Sequence, residues 1–287
     1  MRELTNVVGD YPHTKPLRDG RVTSDLISLK FIDYDPVSDA FDTTVREQRF
    51  DVSELAVGAY LQARAAGKPL TLLPVVVVGG FHHGRLFYLP EHGTVRPEDL
   101  PGKKVAIRSY SQTTPLWIRG ILADQYGVDS DDITWVTLED SHAGEYHDPP
   151  NTERAPEGSK LIQLLQDQKV VAAALGKNGA PGTATVIEDV KAAEAEFYDR
   201  FKTTGINHMV CVRDDIAADE QLTRELMRMF TEAHTLAGRG DDKDPIREGV
   251  PAVRTALELA IGYAHRQHLI PSEPTVDSLF PAYLELQ

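Results

Sequence analysis

The sequence predicts an α/β protein of two lobes with a central ligand cleft and a set of helices at its carboxy-terminal end. Three observations carry that prediction. Short apolar runs rich in Val and Ile alternate with amphipathic stretches of helical length, which is how strands and crossover helices read. Two such series follow one another, separated by a turn-rich stretch around 79–103. Beyond the apolar run at 206–212 only helical patterns remain. We therefore assign 1–90 together with 206–287 to a first, discontinuous lobe, and 91–205 to a second lobe inserted into it. Two chain crossings between lobes make a hinge and a cleft, where ligands bind by preference.

The first series begins with a strand at 4–8, ended by Gly9 and the polar loop 10–14. A second strand covers 27–32, a helix 37–47 and a brief third strand 50–52. Ser53 follows, with a hydroxyl suited to cap a helix over 54–66. The run at 70–78 is β-branched and almost continuous, as in a strand buried on both faces. Gly79 and Gly80 end it, and 86–89 is one more short apolar run. The second series reads strand 105–107, helix 114–126 and strand 133–137. A polar surface excursion at 139–159 carries His142, His147, Pro149, Pro150 and Pro156. Helix 160–168, strand 170–175 and helix 186–201 complete that lobe. After the strand at 206–212 come helices at 219–237, 250–267 and 275–286.

Composition narrows the function. Across 287 residues, 30 Lys and Arg stand against 44 Asp and Glu, a net charge of −14 that repels nucleic acid and anionic membranes. A small anionic ligand feels only its own site, so that class stays open. The single cysteine, Cys211, leaves no intramolecular disulfide and reads as buried packing. No apolar segment follows the first positive charge, and the longest apolar run, 70–78, holds Pro74 and is too short to span a bilayer. A cytoplasmic protein is expected. The chain contains no P-loop, no nucleophile elbow and no G-x-G-x-x-G.

In open α/β sheets, ligands collect at the carboxyl ends of strands. One such loop is 108–115. There Thr114 suits an N-cap and Pro115 the first helical position, so that Ser111, Thr113, Thr114 and the free amides would converge beside Arg108. The helix dipole adds to that charge, and the result is a cradle for a carboxylate or phosphate. Arg119 lies about one turn further on the same face and would add a bidentate contact. The competing reading is a capped helix whose hydroxyls serve only the backbone. A second loop, GGFHHGR at 79–85, offers His82 and His83 as proton-exchanging groups. Adjacent residues of an extended chain face opposite ways, so one of the two enters the cleft; the competing reading is one solvated and one internal histidine. Tyr11 and His13 follow the first strand as ligand contacts, and Thr14 serves equally as a cap. Ser53 and Glu54 read as structural capping. His208, among apolar neighbours, is either a satisfied core histidine or a ligand contact. No H-x-x-x-H or H-x-H spacing supports a metal.

Several strings resemble the 4,5-dihydroxyphthalate decarboxylase family: FDVSE at 50–54, FHHG at 81–84, DLPGKKVAI at 99–107 and above all TTPLWIRGILADQYGV at 113–128. GDYPHTKPLRDGRV at 9–22 and GINHMVCVRDDI at 205–216 fit the same pattern, and the likeness spans most of 4–240. The loops 108–114 and 139–159 depart from it. The resemblance implies a type 2 periplasmic-binding-protein-like fold and a cofactor-independent carbon–carbon lyase. Its reaction would convert 4,5-dihydroxyphthalate to 3,4-dihydroxybenzoate and CO2. On that reading His82 or His83 donates the proton. Arg108, Ser111, Thr113, Thr114 and Arg119 anchor carboxylates, and Tyr11, His13 or His208 contacts ring hydroxyls. The implied partner is a small aromatic carboxylate, with no metal, nucleic acid or membrane, and self-association is left open. The alternatives are a small-carboxylate-binding protein without chemistry and another lyase on the same fold.

Overall fold

A computed structural model of the chain describes residues 1–238 and 240–284. Its strands are β1 (Arg2–Val7), β2 (Ile27–Phe31), β3 (Val52–Ala56), β4 (Leu70–Gly80), β5 (Leu86–Tyr88) and β6 (Lys104–Ile107). They continue as β7 (Thr134–Thr137), β8 (Thr152–Arg154), β9 (Ala172–Ala174), β10 (Ala184–Thr185) and β11 (Gly205–Arg213). The helices are α1 (Lys15–Arg18), α2 (Val57–Ala65), α3 (Thr113–Tyr126), α4 (Leu161–Gln166) and α5 (Val190–Phe201). Then come α6 (Asp214–Ala217), α7 (Glu220–Ala237), α8 (Val250–Arg266) and α9 (Pro281–Leu284). Among the described residues no helix is long and apolar enough to cross a membrane.

The chain divides into two compact units. The first comprises Met1–Gly80, Thr203–Ile261 and the described residues from Ser272 onward; the second comprises Phe81–Lys202 and Gly262–Pro271. This shifts the sequence boundaries in three places, the smallest being the transfer of 203–205 to the first unit. Residues 81–90 join the second unit, and so does the end of α8 with the turn after it. Helical periodicity shows that α8 has an apolar face but not which core that face meets.

The first unit is built on a five-stranded sheet in the order β2-β1-β3-β11-β4. β1 runs parallel to β2 and β3, whereas β11 runs antiparallel to β3 and β4. The carboxyl ends of β1, β2 and β3 therefore lie along one edge, together with the beginning of β11. The core is Val and Leu from the strands, with Leu226, Met229 and Phe230 from α7. The amphipathic pattern of α7 supplies that face, and its N-cap Asp219 accepts bonds from the amides of Gln221 and Leu222. Pro74 sits within β4 without breaking it, because its side of the strand meets the segment 247–249: Gly249 N–H donates to the Pro74 carbonyl at 2.8 Å. At Gly79 a Cβ would lie 2.7 Å from the Gly205 carbonyl oxygen and from Pro245, so the close crossing of β4 and β11 requires glycine there.

The second unit holds a six-stranded sheet in the order β10-β5-β9-β6-β7-β8. α3 buries Leu116, Trp117, Ile118, Ile121 and Leu122. Within it Gly120 faces Tyr263 so closely that a Cβ would fall 2.3 Å from the ring.

Several expected elements change. Ser53 and Glu54 do not open a helix; they lie inside β3, and α2 begins only at Val57. Extending the strand by four residues buries Glu54 completely, at a cost that propensity gives no reason to expect. The helix over 37–47 is instead a short 3-10 turn at Val37–Ala40 and a π-helical turn at Thr43–Glu47. Ser38, Asp39, Asp42, Thr43 and Thr44 are side chains that compete for backbone bonds. α3 starts at Thr113 with Gln112 as N-cap, so Thr114 and Pro115 are the second and third helical residues. The excursion at 139–159 contains β8, paired parallel with β7. The helix expected over 186–201 begins only at Val190, where the Asp189 side chain accepts a bond from the Ala192 amide. The final helix over 275–286 becomes a 3-10 turn at Asp277–Leu279 and the short α9; residues 285 and 286 lie outside the described residues.

Candidate active site

The loops that follow β1 and β2 enclose a cavity of about 710 Å³ in the first unit, with Gly9, Tyr11, Arg18, Tyr34, Val78 and His208 among its lining residues. It lies at the carboxyl edge of the parallel strands, where α/β sheets present their ligand sites. Its volume falls within the range of small-molecule pockets.

Glu54 organises one wall. Its side chain is 0% exposed, and all its partners come from the first unit. Oε2 accepts the Gly9 amide at 2.9 Å, while Oε1 accepts the Tyr11 hydroxyl at 2.8 Å and lies 2.5 Å from His208 Nδ1. An ionised carboxylate only accepts, so Nδ1 carries the proton in this pair and Nε2 becomes the ring's exchangeable position. His208 makes no second hydrogen bond among the described residues, and its side chain, 16% exposed, reaches the cavity. Phe41 meets the imidazole edge-on at 5.2 Å, which further limits its rotation. β3 and β11 place the two side chains together, since Glu54 pairs with Val210 and His208 with Ala56 across the ladder. Burial, then the Glu54 charge, raises the Tyr11 hydroxyl far above the usual tyrosine range, so it serves as a fixed donor.

His13 stacks on Tyr11 with ring centroids 5.3 Å apart, and its Nε2 lies 3.0 Å from the Val77 carbonyl. Burial, followed by the nearby His234, pushes His13 down to about 4, so it is neutral at pH 7. His234 meets its edge and is held by Glu248 at 3.2 Å.

The other expected site residues belong to the second unit, and they do not assemble the carboxylate cradle. Arg108 donates to Glu139 at 2.7 Å, in a pair whose two side chains are both about half exposed. The Ser111 hydroxyl is 3.1 Å from that of Ser109, Thr113 is buried, and Thr114 is half-buried. Arg119 points into the core, 1% exposed, donating to Gln267 at 2.7 Å and to the Tyr110 carbonyl at 2.6 Å, with its guanidinium 3.9 Å over the Tyr110 ring. The spacing that put it on the face of Pro115 is correct, but that face is the buried one. His82 stacks on Trp117, and His83 Nε2 is 2.8 Å from the Gln125 side-chain oxygen. Both are buried, and burial pushes His83 down to about 4, so it stores no proton at neutral pH.

No protein-family model matches the chain. A 4,5-dihydroxyphthalate decarboxylase from Comamonas testosteroni is 28% identical over 93% of this chain and 89% of its own length. A second, from Pseudomonas putida, is 31% identical over 46% of this chain and 52% of its own length. The chain is similar over most of its length to 4,5-dihydroxyphthalate decarboxylases. The fold of the chain is that of periplasmic binding proteins. The aliphatic sulphonate binding protein SsuA from Escherichia coli superposes with a TM-score of 0.61, at 15% identity over 100% of both chains.

The site residue that sequence reasoning missed is Glu54. Its signal was present: a charged side chain within Val-Ser-Glu-Leu-Ala, a segment that reads as strand once the run from 50 is extended. A carboxylate inside a buried strand is a functional pointer.

Proposed function

We propose that this chain decarboxylates an aromatic ortho-dicarboxylate that carries a hydroxyl para to the departing group. The simplest such substrate is 4,5-dihydroxyphthalate, giving 3,4-dihydroxybenzoate and CO2. The observation that carries this reading is the Tyr11–Glu54–His208 constellation on the wall of a ligand-sized cavity. Similarity to the decarboxylases supplies the reaction class, and the imidazole supplies its acid–base group.

Loss of CO2 directly from an aromatic ring would leave a carbanion in the ring plane, out of conjugation. The para hydroxyl offers a lower path. Removal of its proton pushes electron density to the carbon that bears the carboxylate, and that carbon takes up a proton to give a cyclohexadienone. The carbon–carbon bond to the carboxylate then breaks. Its electron pair re-forms the aromatic ring, and the phenolate regains a proton. Protons therefore leave and return in equal number, and one solvent-derived hydrogen remains on the ring. His208 Nε2 exchanges the proton at the ring carbon, and Glu54 stabilises the imidazolium form that delivers it.

Incubation with 4,5-dihydroxyphthalate in D2O tests this. The expected products are CO2 and 3,4-dihydroxybenzoate with one deuterium at the vacated carbon. His208→Asn should lower kcat by ~10²–10⁴, the usual worth of a positioned acid, while leaving affinity for unreactive phthalate nearly unchanged. Binding without CO2 release would favour a carboxylate-binding protein instead. Near-normal turnover by the variant would remove His208 from the reaction.

A further inference from the structure

A dicarboxylate in this cavity needs a cation, and the arginines singled out by sequence lie in the second unit, engaged elsewhere. Arg18 lines the cavity itself. α1 carries it to the wall, and two internal contacts hold its guanidinium in place: Nη2 donates to the Val8 carbonyl at 2.5 Å, and the plane lies 4.3 Å over the Phe31 ring. Its third contact is of another kind. Nη1 donates to Asp33 Oδ1 at 2.6 Å, but Asp33 is 80% exposed, whereas Arg18 is 18% exposed. A pair with one fully solvated partner contributes little, because water and salt compete for it. The guanidinium is thus pre-oriented by the fold and covered by a carboxylate that is easily exchanged.

We propose that Arg18 is the carboxylate subsite of this cavity and that Asp33 occupies it until a substrate carboxylate takes its place. The inference rests on the reading of the cavity as the substrate site. A planar fork matches a carboxylate with two parallel bonds, which is why the class assigned is a carboxylate on an aromatic ring. Asp10 and Asp35 share the cavity wall and repel such an anion, so its binding depends on the charge of the Arg18 guanidinium.

Phthalate, which lacks the ring hydroxyls that the reaction needs, is the probe, and titration calorimetry on the full chain is the measurement. Arg18→Gln should weaken phthalate binding ~10-fold or more, as expected for loss of a charge-assisted fork. Asp33→Asn, a solvent-facing change that leaves folding intact, should tighten binding several-fold. Asp35→Asn makes the same charge change without touching Arg18 and should tighten it less than Asp33→Asn does. Equal affinities in wild type and Arg18→Gln, no advantage of Asp33→Asn over Asp35→Asn, or no phthalate binding by the wild type would each overturn the subsite. Arg18-dependent phthalate binding in a protein that releases no CO2 would keep the subsite and discard the decarboxylase reading. CO2 release that is indifferent to Arg18→Gln would do the reverse.

Discussion

Glu54 meets three donors and no solvent, so its carboxylate is held by the Gly9 amide, the Tyr11 hydroxyl and the His208 imidazole alone. Replacement by Gln keeps the size but turns one oxygen into a donor; with its remaining oxygen kept for the fixed Gly9 amide, that donor faces both Tyr11 and His208. Glu54→Gln should therefore lower kcat ~10²-fold or more through the wrong imidazole tautomer, with a smaller change in KM. The pH profile of kcat/KM checks it: loss of the Glu54 charge should move its alkaline limb to lower pH, because the imidazolium that delivers the proton loses its counter-ion. An unmoved limb would separate Glu54 from the titrating group. His83 makes a different prediction, on stability. Burial lowers it from 6.5 to about 4, so between those values the unfolded chain binds a proton that the folded chain refuses. Its contribution is complete above pH 6.5, is lost progressively as the pH falls to about 4, and is constant below that. His83→Gln should shrink the fall in urea midpoint between pH 7 and pH 4.5. A fall as steep as in the wild type would mean that other groups, His13 among them, carry the acid sensitivity.

At the scale of elements, strands with β-branched runs were legible, as was the start of α7, but the starts of α2 and α5 were not. β4 is announced by Val75, Val76, Val77 and Val78, and α7 by Asp219 followed by a regular apolar stripe. β3 was not, since Ser53 and Glu54 make a convincing helix start by local chemistry, and only pairing with β1 and β11 draws them into the sheet. The same limit applies to Arg119, whose helical spacing is right but whose face is turned inward by the packing of α3 against α8. That contact gives a direct test. Gly120→Ala would place a methyl group 2.3 Å from the Tyr263 ring, inside the packed core of the second unit. It should cost ~1–3 kcal/mol by overpacking, read as a lower urea midpoint with an unchanged slope. Wild-type stability would show that Tyr263 yields without strain, although its hydroxyl is fixed to Asp124 at 2.7 Å.

Across the whole molecule the net charge of −14 opposes a dianionic substrate. Raising the salt from ~10 to ~150 mM shortens the screening length from about 30 Å to about 8 Å. kcat/KM for 4,5-dihydroxyphthalate should accordingly rise over that range, an opposite trend to that of enzymes that steer anions inward. A fall would mean that the field of Arg18 dominates the approach.

Read alone, the sequence was enough for the α/β class, most strand positions, the absence of a disulfide and the likeness to 4,5-dihydroxyphthalate decarboxylases, because these rest on local periodicity, composition and strings of residues. Which side chains share a site is a different kind of information. Glu54 and His208 are 154 residues apart in the chain and touch only because an antiparallel pairing lays β11 beside β3. Arg18 and Asp33 meet only because β1 and β2 bring their loops to one edge. Tertiary structure decided those contacts, since strand order and register depend on burial across the whole sheet, which no window of sequence contains.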